Sequence, residues 1–152
     1  MAWAKSENCS NSTCFVFGYG SAAASQVFGA SGDPGGVWWF QGYAAGDMNT
    51  GVTFVQNKWN HIAVSYDGTT VRFYLNGFEI ANGARTLNTT GSIFYVGRSE
   101  SDGTNKWKGL LDEVQVFNRV LSADEIAETY RMGANHHLTR QISATDLSAQ
   151  TK

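Results

Sequence analysis

The chain of 152 residues has little proline, cysteine or charge. It contains 1 proline and 2 cysteines, and only 16% of its residues are charged. Its 11 basic and 13 acidic residues give a formal net charge of −2, which argues against a nucleic-acid partner because no basic surface is expected. No apolar run approaches the roughly 18 residues needed to cross a bilayer, so we expect no membrane insertion. The first residues also lack the basic and apolar regions of a secretory signal peptide.

Glycines and aromatic residues are what the chain has in quantity. The sequence contains 17 glycines, 13% aromatic residues and 42% hydrophobic residues, and its length suits one domain. This composition is too hydrophobic for a disordered chain, and it is typical of β-strands joined by many turns. We therefore expect a single all-β domain.

The two cysteines, Cys9 and Cys14, lie five positions apart with polar residues between them. They could close a small disulfide loop in an oxidising compartment, and two unpaired thiols fit the pattern equally well. A zinc site is not expected, because two further ligands at suitable spacing are missing.

Alternating apolar and polar residues predict an antiparallel meander in the middle of the chain. Strands are expected at 59–66, 71–75 and 78–81, joined by Asp67-Gly68 and Asn76-Gly77, which tolerate the positive φ of tight hairpins. The same reasoning predicts further strands at 2–5, 14–19, 37–43, 92–98 and 109–117.

A capping pattern predicts one helix near the end of the chain. Ser122 is the expected N-cap and Glu125 follows three residues later, and Gly133 is expected to end the helix. The polar segment 134–152 has no clear periodicity and is interpreted as a linker or as an arm that orders on a partner.

These motifs resemble the laminin-G-like, concanavalin-A-like jelly-roll family. The resemblance covers about 1–133 and is strongest after Trp59; it implies an all-β, two-sheet β-sandwich with one short C-terminal helix, followed by a separate tail at 134–152. The residues that carry it are Trp59, Asp67, Gly68, Tyr74, Asn76, Gly77, Gly109, Asp112, Glu113, Val114, Leu121, Ser122, Glu125 and Ile126. Such domains usually begin with strands before the segment 2–5, so we expect an unpaired edge that the tail fills or contacts, that a neighbouring subunit fills, or that stays open.

Catalytic residues are not apparent in the sequence. Glycoside hydrolysis needs two carboxylates flanking the bond, and the paired-carboxylate strand of related glucanases is absent. Asp112 and Glu113 are neighbours and are expected on opposite faces of a strand. His61 alternates with the core positions and is expected to face solvent. We therefore predict that the chain is not an enzyme.

Asp112 is the candidate metal ligand. Its alternation with Leu110 and Val114 predicts a carboxylate that points into the sandwich, where a buried charge needs a cation or hydrogen bonds. The resemblance implies a structural Ca²⁺ at this position. The alternative is that Asp112 accepts hydrogen bonds from backbone N–H groups.

Adjacent aromatic residues point to a binding surface. On a strand, Trp38 and Phe40 share one face and Trp39 the other, so one face is core and the other is expected to expose a ring. Sugars stack on such rings while polar side chains read their hydroxyl groups. The predicted ligand-binding residues are Trp39, Tyr43, Asp47, Asn49, Arg98 and Trp107; the alternative is that these aromatic rings pack in the core.

The first functional hypothesis is a non-catalytic recognition module, extracellular or at the cell surface, that binds a glycan or an extracellular protein. The alternative is a structural or assembly subunit that forms homo-oligomers through residues 134–152 and the incomplete sandwich edge. A glycoside hydrolase is the third and least favoured hypothesis, because the carboxylate pair is missing.

Overall fold

The computed structural model describes residues 1–9, 13–91, 93–99 and 105–149, with side chains through His137. It contains ten strands and one α-helix among these residues. The strands are β1 (Ala2–Ser6), β2 (Cys14–Gly20), β3 (Val27–Gly32), β4 (Val37–Gln41), β5 (Met48–Thr53), β6 (Trp59–Tyr66), β7 (Thr70–Leu75), β8 (Phe78–Ala84), β9 (Phe94–Val96) and β10 (Gly109–Asp112), and the helix is α1 (Ala123–Ala149).

The strands form two five-stranded antiparallel sheets. Sheet I has the order β10-β1-β6-β7-β8, and sheet II has the order β5-β4-β3-β2-β9. The two-sheet β-sandwich expected from the sequence is confirmed.

The main core lies between the inner faces of the two sheets. Trp38, Phe40 and Phe17 from sheet II meet Ile62 and Phe73 from sheet I, and all five side chains are buried. Alternation along each strand places these residues inward, which leaves the odd-numbered positions of β4 on the outer face.

Both predicted hairpins are present. Asn76 and Gly77 have φ values of 51° and 84°, the geometry of the two-residue turn that matches strand twist. Gly68 has a φ of 96° in the turn between β6 and β7, where Asp67 Oδ1 accepts hydrogen bonds from the backbone N–H groups of Thr69 and Thr70. These local signals fix the register of the meander.

Three strand assignments differ from the prediction. Strands β3 and β5 were not expected, because their sequences VFGASG and MNTGVT are rich in small and polar residues. The expected strand at 109–117 ends at Asp112, because Glu113 takes a φ of 49° that breaks the extended backbone.

Helix α1 begins as predicted and ends later. Glu125 N donates to Ser122 Oγ at 3.2 Å and Ser122 N donates to Glu125 Oε2 at 2.8 Å, which is the expected capping box. The prediction that Gly133 ends the helix is wrong, since the 27-residue helix continues to Ala149. Segment 134–149 is therefore helical rather than an irregular arm; residues 150–152 lie outside the described part of the chain.

Gly133 has a packing role instead. A Cβ atom placed there would lie 2.3 Å from Trp3 Nε1, so only glycine lets α1 approach β1 this closely. The helix covers the outer face of sheet I, where Ile126 and Leu121 pack with Ala63 and Tyr74 in a second apolar layer.

The expected open edge does not lie beside β1. This strand is internal to sheet I and pairs antiparallel with β10 on one side and β6 on the other. Because residues 134–149 are helical, they fill no strand position in either sheet. Within this segment, the described ring of His137 packs against Trp3 and Trp59 of sheet I.

Cys9 and Cys14 form a disulfide, which decides between the two alternatives left open by the sequence. Both cysteines are buried in the main core; Cys9 lies shortly after the end of β1, and Cys14 is the first residue of β2.

Candidate functional site

The outer face of sheet II carries the half-buried indole of Trp39. Strand register places Asn49 on one side of Trp39 and Ser31 on the other, and directly opposed residues in an antiparallel pair share a face. Trp39 Nε1 donates a hydrogen bond to Asp33 Oδ2 at 2.9 Å, and this bond fixes the ring on the surface. Trp39 is half-buried, so part of its ring is exposed on this face, and ligand binding by Trp39 stays a prediction.

A second row on the same face contains Gln41, Gly29, Gly18 and Tyr95 in register. The two glycines separate Gln41 from Tyr95, and the ring of Phe15 lies beside Gly29, where its Cε1 atom would be 3.5 Å from an added Cβ. Gln41 Nε2 donates to Ser31 Oγ at 2.8 Å, which orients the Gln41 amide toward Trp39's row. The two rows together place aromatic rings, an amide and backbone on one surface, which we call the outer aromatic face (Trp39, Gln41, Asn49 and Tyr95).

Arg98 lies at one border of the outer aromatic face. Its guanidinium carbon sits 4.4 Å from the centroid of the Tyr95 ring, in a cation–π contact, and the side chain is exposed. Arg98 is thus held on the surface by Tyr95, and its guanidinium carries hydrogen-bond donors.

Tyr43 and Asp47 occupy the loop after β4. Asp47 Oδ1 accepts hydrogen bonds from the backbone N–H groups of Gly42 at 2.9 Å and Tyr43 at 2.7 Å. The Asp47 carboxylate therefore holds its own loop together. Tyr43 has a φ of 68° and is 44% exposed, and Ala44 and Ala45 beside it are exposed as well.

Trp107 does not belong to this surface. Its side chain is buried in the main core, its ring stacks on Trp38 with centroids 6.0 Å apart, and Nε1 donates to the Leu110 carbonyl at 3.2 Å. The prediction that places Trp107 on an exposed binding surface is wrong, because the loop before β10 turns the indole into the core. The core-packing alternative holds for this residue.

Asp112 is exposed rather than inward. In β10, Leu111 faces the core and Leu110 is 50% exposed. The prediction that Leu110 and Asp112 face inward is therefore wrong. Because Leu110 and Leu111 are adjacent, the sequence pattern does not show which of the two leucines faces the core. Asp112 Oδ1 accepts a hydrogen bond from Glu113 N at 2.8 Å.

Asp112 and Glu113 approach the same part of α1. Donor atoms of Asp112, His136 and His137 lie within 4.8 Å of one another, and Glu113 Oε1 lies 3.6 Å from His137 Nε2. The prediction that the two carboxylates face opposite ways is therefore wrong, because the strand ends between them. Calcium takes six to eight oxygen ligands, and a set with two imidazoles matches it poorly.

His61 is buried, against the prediction that it faces solvent. Its ring lies 5.4 Å from that of Trp3 and 6.1 Å from that of Tyr130, under the cover that α1 provides. Burial lowers the pKa of His61 to about 4, and the positive charge of the chain's amino terminus and then His137 add to the shift.

A cavity of about 520 Å³ opens between the two sheets at the end away from the disulfide. Its walls are largely apolar, with Phe17, Phe28 and Phe94 from sheet II facing Val64 and Tyr66 from sheet I. None of the predicted ligand-binding residues is among the described residues that line it. Its apolar walls suit a sugar less well than the outer aromatic face does.

Sequence reasoning missed Tyr95 as a site residue. The signal was present, since Tyr95 alternates with the core residue Phe94 in a predicted strand. The sequence does not show the register of β9 against β2, so it does not indicate that Tyr95 lies on the same face as Trp39.

Comparison with known proteins reveals a family match. The model of a family described as "Concanavalin A-like lectin/glucanases superfamily" matches residues 1–127. The adhesion G-protein coupled receptor V1 of Danio rerio is 28% identical over 103 residues, which are 64% of this chain and 2% of the receptor. The chain thus spans a very small part of that relative.

Solved structures share the fold. Domain 4 of AbnA, a GH43 extracellular arabinanase from Geobacillus stearothermophilus in complex with arabinotriose, has a TM-score of 0.60 and 24% identity, covering 84% of this chain and 63% of that one. A Trypanosoma rangeli sialidase has a TM-score of 0.65 and 21% identity, covering 85% of this chain and 22% of the sialidase. A putative carbohydrate binding protein from Bacteroides ovatus has a TM-score of 0.57 and 16% identity, covering 83% and 44%.

Among the described residues, no helix combines the length and the apolar character needed to cross a membrane.

Proposed function

Because the chain belongs to the concanavalin A-like lectin/glucanase superfamily, we propose that it is a non-catalytic extracellular module that binds carbohydrate on the outer aromatic face. The observation that carries the proposal is Trp39, a large ring that stands half-buried on the outer face of a sheet and is held by Asp33. Large rings fixed at a surface bind ligands at a low entropic cost.

The chemistry of the face suits a sugar. A pyranose or furanose ring offers C–H groups on its faces and hydroxyl groups on its edges. Trp39 and Tyr95 provide π surfaces, and the amides of Gln41 and Asn49 provide donors and acceptors for hydroxyl groups. Arg98 adds a charged donor beside Tyr95, which would favour a ligand with a carboxylate or several hydroxyl groups.

Among the described residues, the carboxylates of Asp33 and Asp47 act as structural acceptors, which supports a non-catalytic role. Asp33 accepts from the N–H groups of Val37 and Trp39, and Asp47 accepts from those of Gly42 and Tyr43. Glycoside hydrolysis needs one carboxylic acid and one carboxylate directed at the bond. Carboxylates that hold loop backbone in place are not free to serve as that pair.

An extracellular location fits two observations. Cys9 and Cys14 are joined in a disulfide, which persists in oxidising compartments. The similar chains include part of an adhesion receptor and a domain of an extracellular arabinanase.

The decisive test is binding to a glycan array, followed by calorimetry on the glycans that bind. We expect Trp39→Ala to abolish binding while the far-ultraviolet circular dichroism spectrum stays unchanged. Phe78→Ala is the matched control, because Phe78 is 74% exposed at the start of β8 in sheet I, and it should bind as the unmodified protein does. Unaltered binding by Trp39→Ala would overturn the proposed site.

A second candidate function is assembly through the end of the chain. The observation that favours it is the continuation of α1 to Ala149, which gives 134–149 a regular helical backbone. Light scattering on the full chain, and on a chain shortened after His137, tests this proposal. A smaller particle after shortening would support it, and the same monomeric mass for both would exclude it.

A further inference from the structure

A cluster of metal-ligating side chains joins the end of β10 to the middle of α1. One donor atom from each of Asp112, His136 and His137 lies within 4.8 Å of the other two. Asp112 is the last residue of β10, while the two histidines are consecutive residues of the helix. The cluster lies on the outer side of sheet I, whereas the outer aromatic face belongs to sheet II on the opposite side of the sandwich, so the cluster is a separate site.

Glu113 adds a second carboxylate to the cluster. Its Oε1 atom lies 3.6 Å from His137 Nε2 and 3.9 Å from His136 Nδ1. The left-handed backbone of Glu113, with φ 49°, redirects the chain after β10 and brings this carboxylate beside the helix. Two carboxylates next to two imidazoles give the site a negative charge when the histidines are neutral.

The buried half of the cluster is held in place by aromatic rings. His137 is 2% exposed, and its ring centroid lies 4.5 Å from that of Trp3 and 4.6 Å from that of Trp59. By contrast, Asp112 is exposed and the His136 side chain is half-exposed. The site therefore combines one fixed donor with two donors that can adjust.

We propose that Asp112, His136 and His137 bind a divalent transition-metal cation, with Zn²⁺ as the best match and Glu113 as the fourth donor. Imidazole ligands select zinc and related metals over calcium and magnesium, which prefer oxygen. The combination of two imidazoles with carboxylate oxygen is a known donor set for such ions.

The distances require only a small contraction. Zinc bonds of about 2.0–2.1 Å in tetrahedral geometry place neighbouring donors about 3.4 Å apart. Donors now within 4.8 Å of one another must approach by up to about 1.4 Å. In this proposal, rotation of the exposed Asp112 and His136 side chains provides that approach while His137 stays in place.

Metal binding would fasten the helix to the sheet. The cation would link the end of β10 to a part of α1 that lies beyond residue 127, the last residue matched by the family model. The site would thereby stabilise the part of α1 that covers Trp3 and His61.

Titration of the full chain, freed of any affinity tag, with ZnCl₂ tests the proposal by calorimetry and by thermal melting. We expect one Zn²⁺ per chain and a rise in melting temperature that EDTA reverses. Replacing Zn²⁺ by Co²⁺ should give the visible absorption of a tetrahedral ion with nitrogen and oxygen ligands. CaCl₂ at the same concentration should produce neither effect.

Substitutions at the two exposed donors identify the ligands. Asp112→Asn and His136→Ala should each weaken Zn²⁺ binding at least about tenfold, and both leave the buried His137 in place. Asp124→Asn in the first turn of α1 is the matched control and should bind zinc normally. No zinc binding by the unmodified chain, or unchanged affinity in both donor variants, would overturn the proposal.

Discussion

Trp39 Nε1 donates to Asp33 Oδ2 at 2.9 Å, while Oδ1 of the same carboxylate accepts from Val37 N at 2.8 Å. One aspartate in the turn before β4 therefore fixes both the start of the strand and the orientation of the ring that we place at the centre of the binding face. The Gly-Asp-Pro-Gly-Gly sequence at 32–36 favours a turn, whereas the hydrogen bond between Trp39 and Asp33 depends on side-chain positions that the sequence does not show.

Asp33→Ala should lower both stability and carbohydrate affinity. It removes two partly buried hydrogen bonds, which together are worth about 1–2 kcal/mol of unfolding free energy. Because the indole of Trp39 is freed but still present, Asp33→Ala should weaken carbohydrate binding less than Trp39→Ala does. Urea denaturation and calorimetry with the glycan found on the array measure the two effects.

Asp67→Ala is the control for this prediction. Asp67 also stabilises a turn, through the N–H groups of Thr69 and Thr70 and an ion pair with Arg72, but it belongs to sheet I. It should destabilise the fold without changing carbohydrate affinity. If Asp33→Ala binds the glycan as tightly as the unmodified chain, Asp33 does not position Trp39 for binding.

Gly133→Ala should destabilise the protein although alanine is the better helix former. In an open helix the change would gain about 1 kcal/mol. Here the new methyl group would lie 2.3 Å from Trp3 Nε1 and 3.0 Å from Glu113 Oε2, so α1 must move away from β1. We expect a net loss of about 1–3 kcal/mol by urea denaturation.

Met132→Ala is the matched substitution on the neighbouring residue. Met132 is 65% exposed in the same helix, so its truncation should change stability little. An increase in stability for Gly133→Ala would mean that the helix does not approach Trp3 as closely as described.

The fold was predictable where the signal is local. The hairpins at Asp67-Gly68 and Asn76-Gly77 and the capping box at Ser122 depend on residues within four positions, and all three are present. Strand β3 was not predictable, because Gly29, Ala30, Ser31 and Gly32 carry no alternating apolar signal; neighbours on both sides hold it in the sheet.

The site was less predictable, because it depends on contacts between distant elements. His61 is buried only because a helix more than sixty residues later covers it. Gly133 was interpreted as a helix terminator, since a glycine needed for close packing looks the same in sequence as one that ends a helix. Trp39 and Trp107 were equally plausible surface residues, and only the structure separates them.

Substitution of these two tryptophans should separate stability from binding. Trp107→Ala removes a core ring that stacks on Trp38, so it should cost about 3–5 kcal/mol of unfolding free energy. Trp39→Ala removes a half-buried ring and should cost clearly less. Urea denaturation measures both, and equal losses would contradict the assignment of Trp107 to the core and Trp39 to the surface.

The protein should lose stability as the pH falls from about 6.5 to about 4, because His61 stays neutral in the folded state over that range. An unfolded histidine takes up a proton near pH 6.5, whereas folded His61 does so only near pH 4, so between these values the unfolded state binds more protons. Stability therefore rises with pH across this window, and a shift of this size corresponds to roughly 3 kcal/mol. The group contributes no further change below about pH 4 or above about pH 6.5.

Urea denaturation in EDTA at pH 7.0, 5.5 and 4.5 checks this, with His61→Gln as the comparison. Glutamine is polar and similar in length but does not titrate, so the variant should lose less stability between pH 7.0 and 4.5 than the unmodified chain. His136→Gln, which changes an exposed ring in α1, serves as the control and should keep the full pH dependence. Equal pH dependence of the unfolding free energy for the unmodified chain and His61→Gln would show that protonation of His61 does not cause the loss of stability.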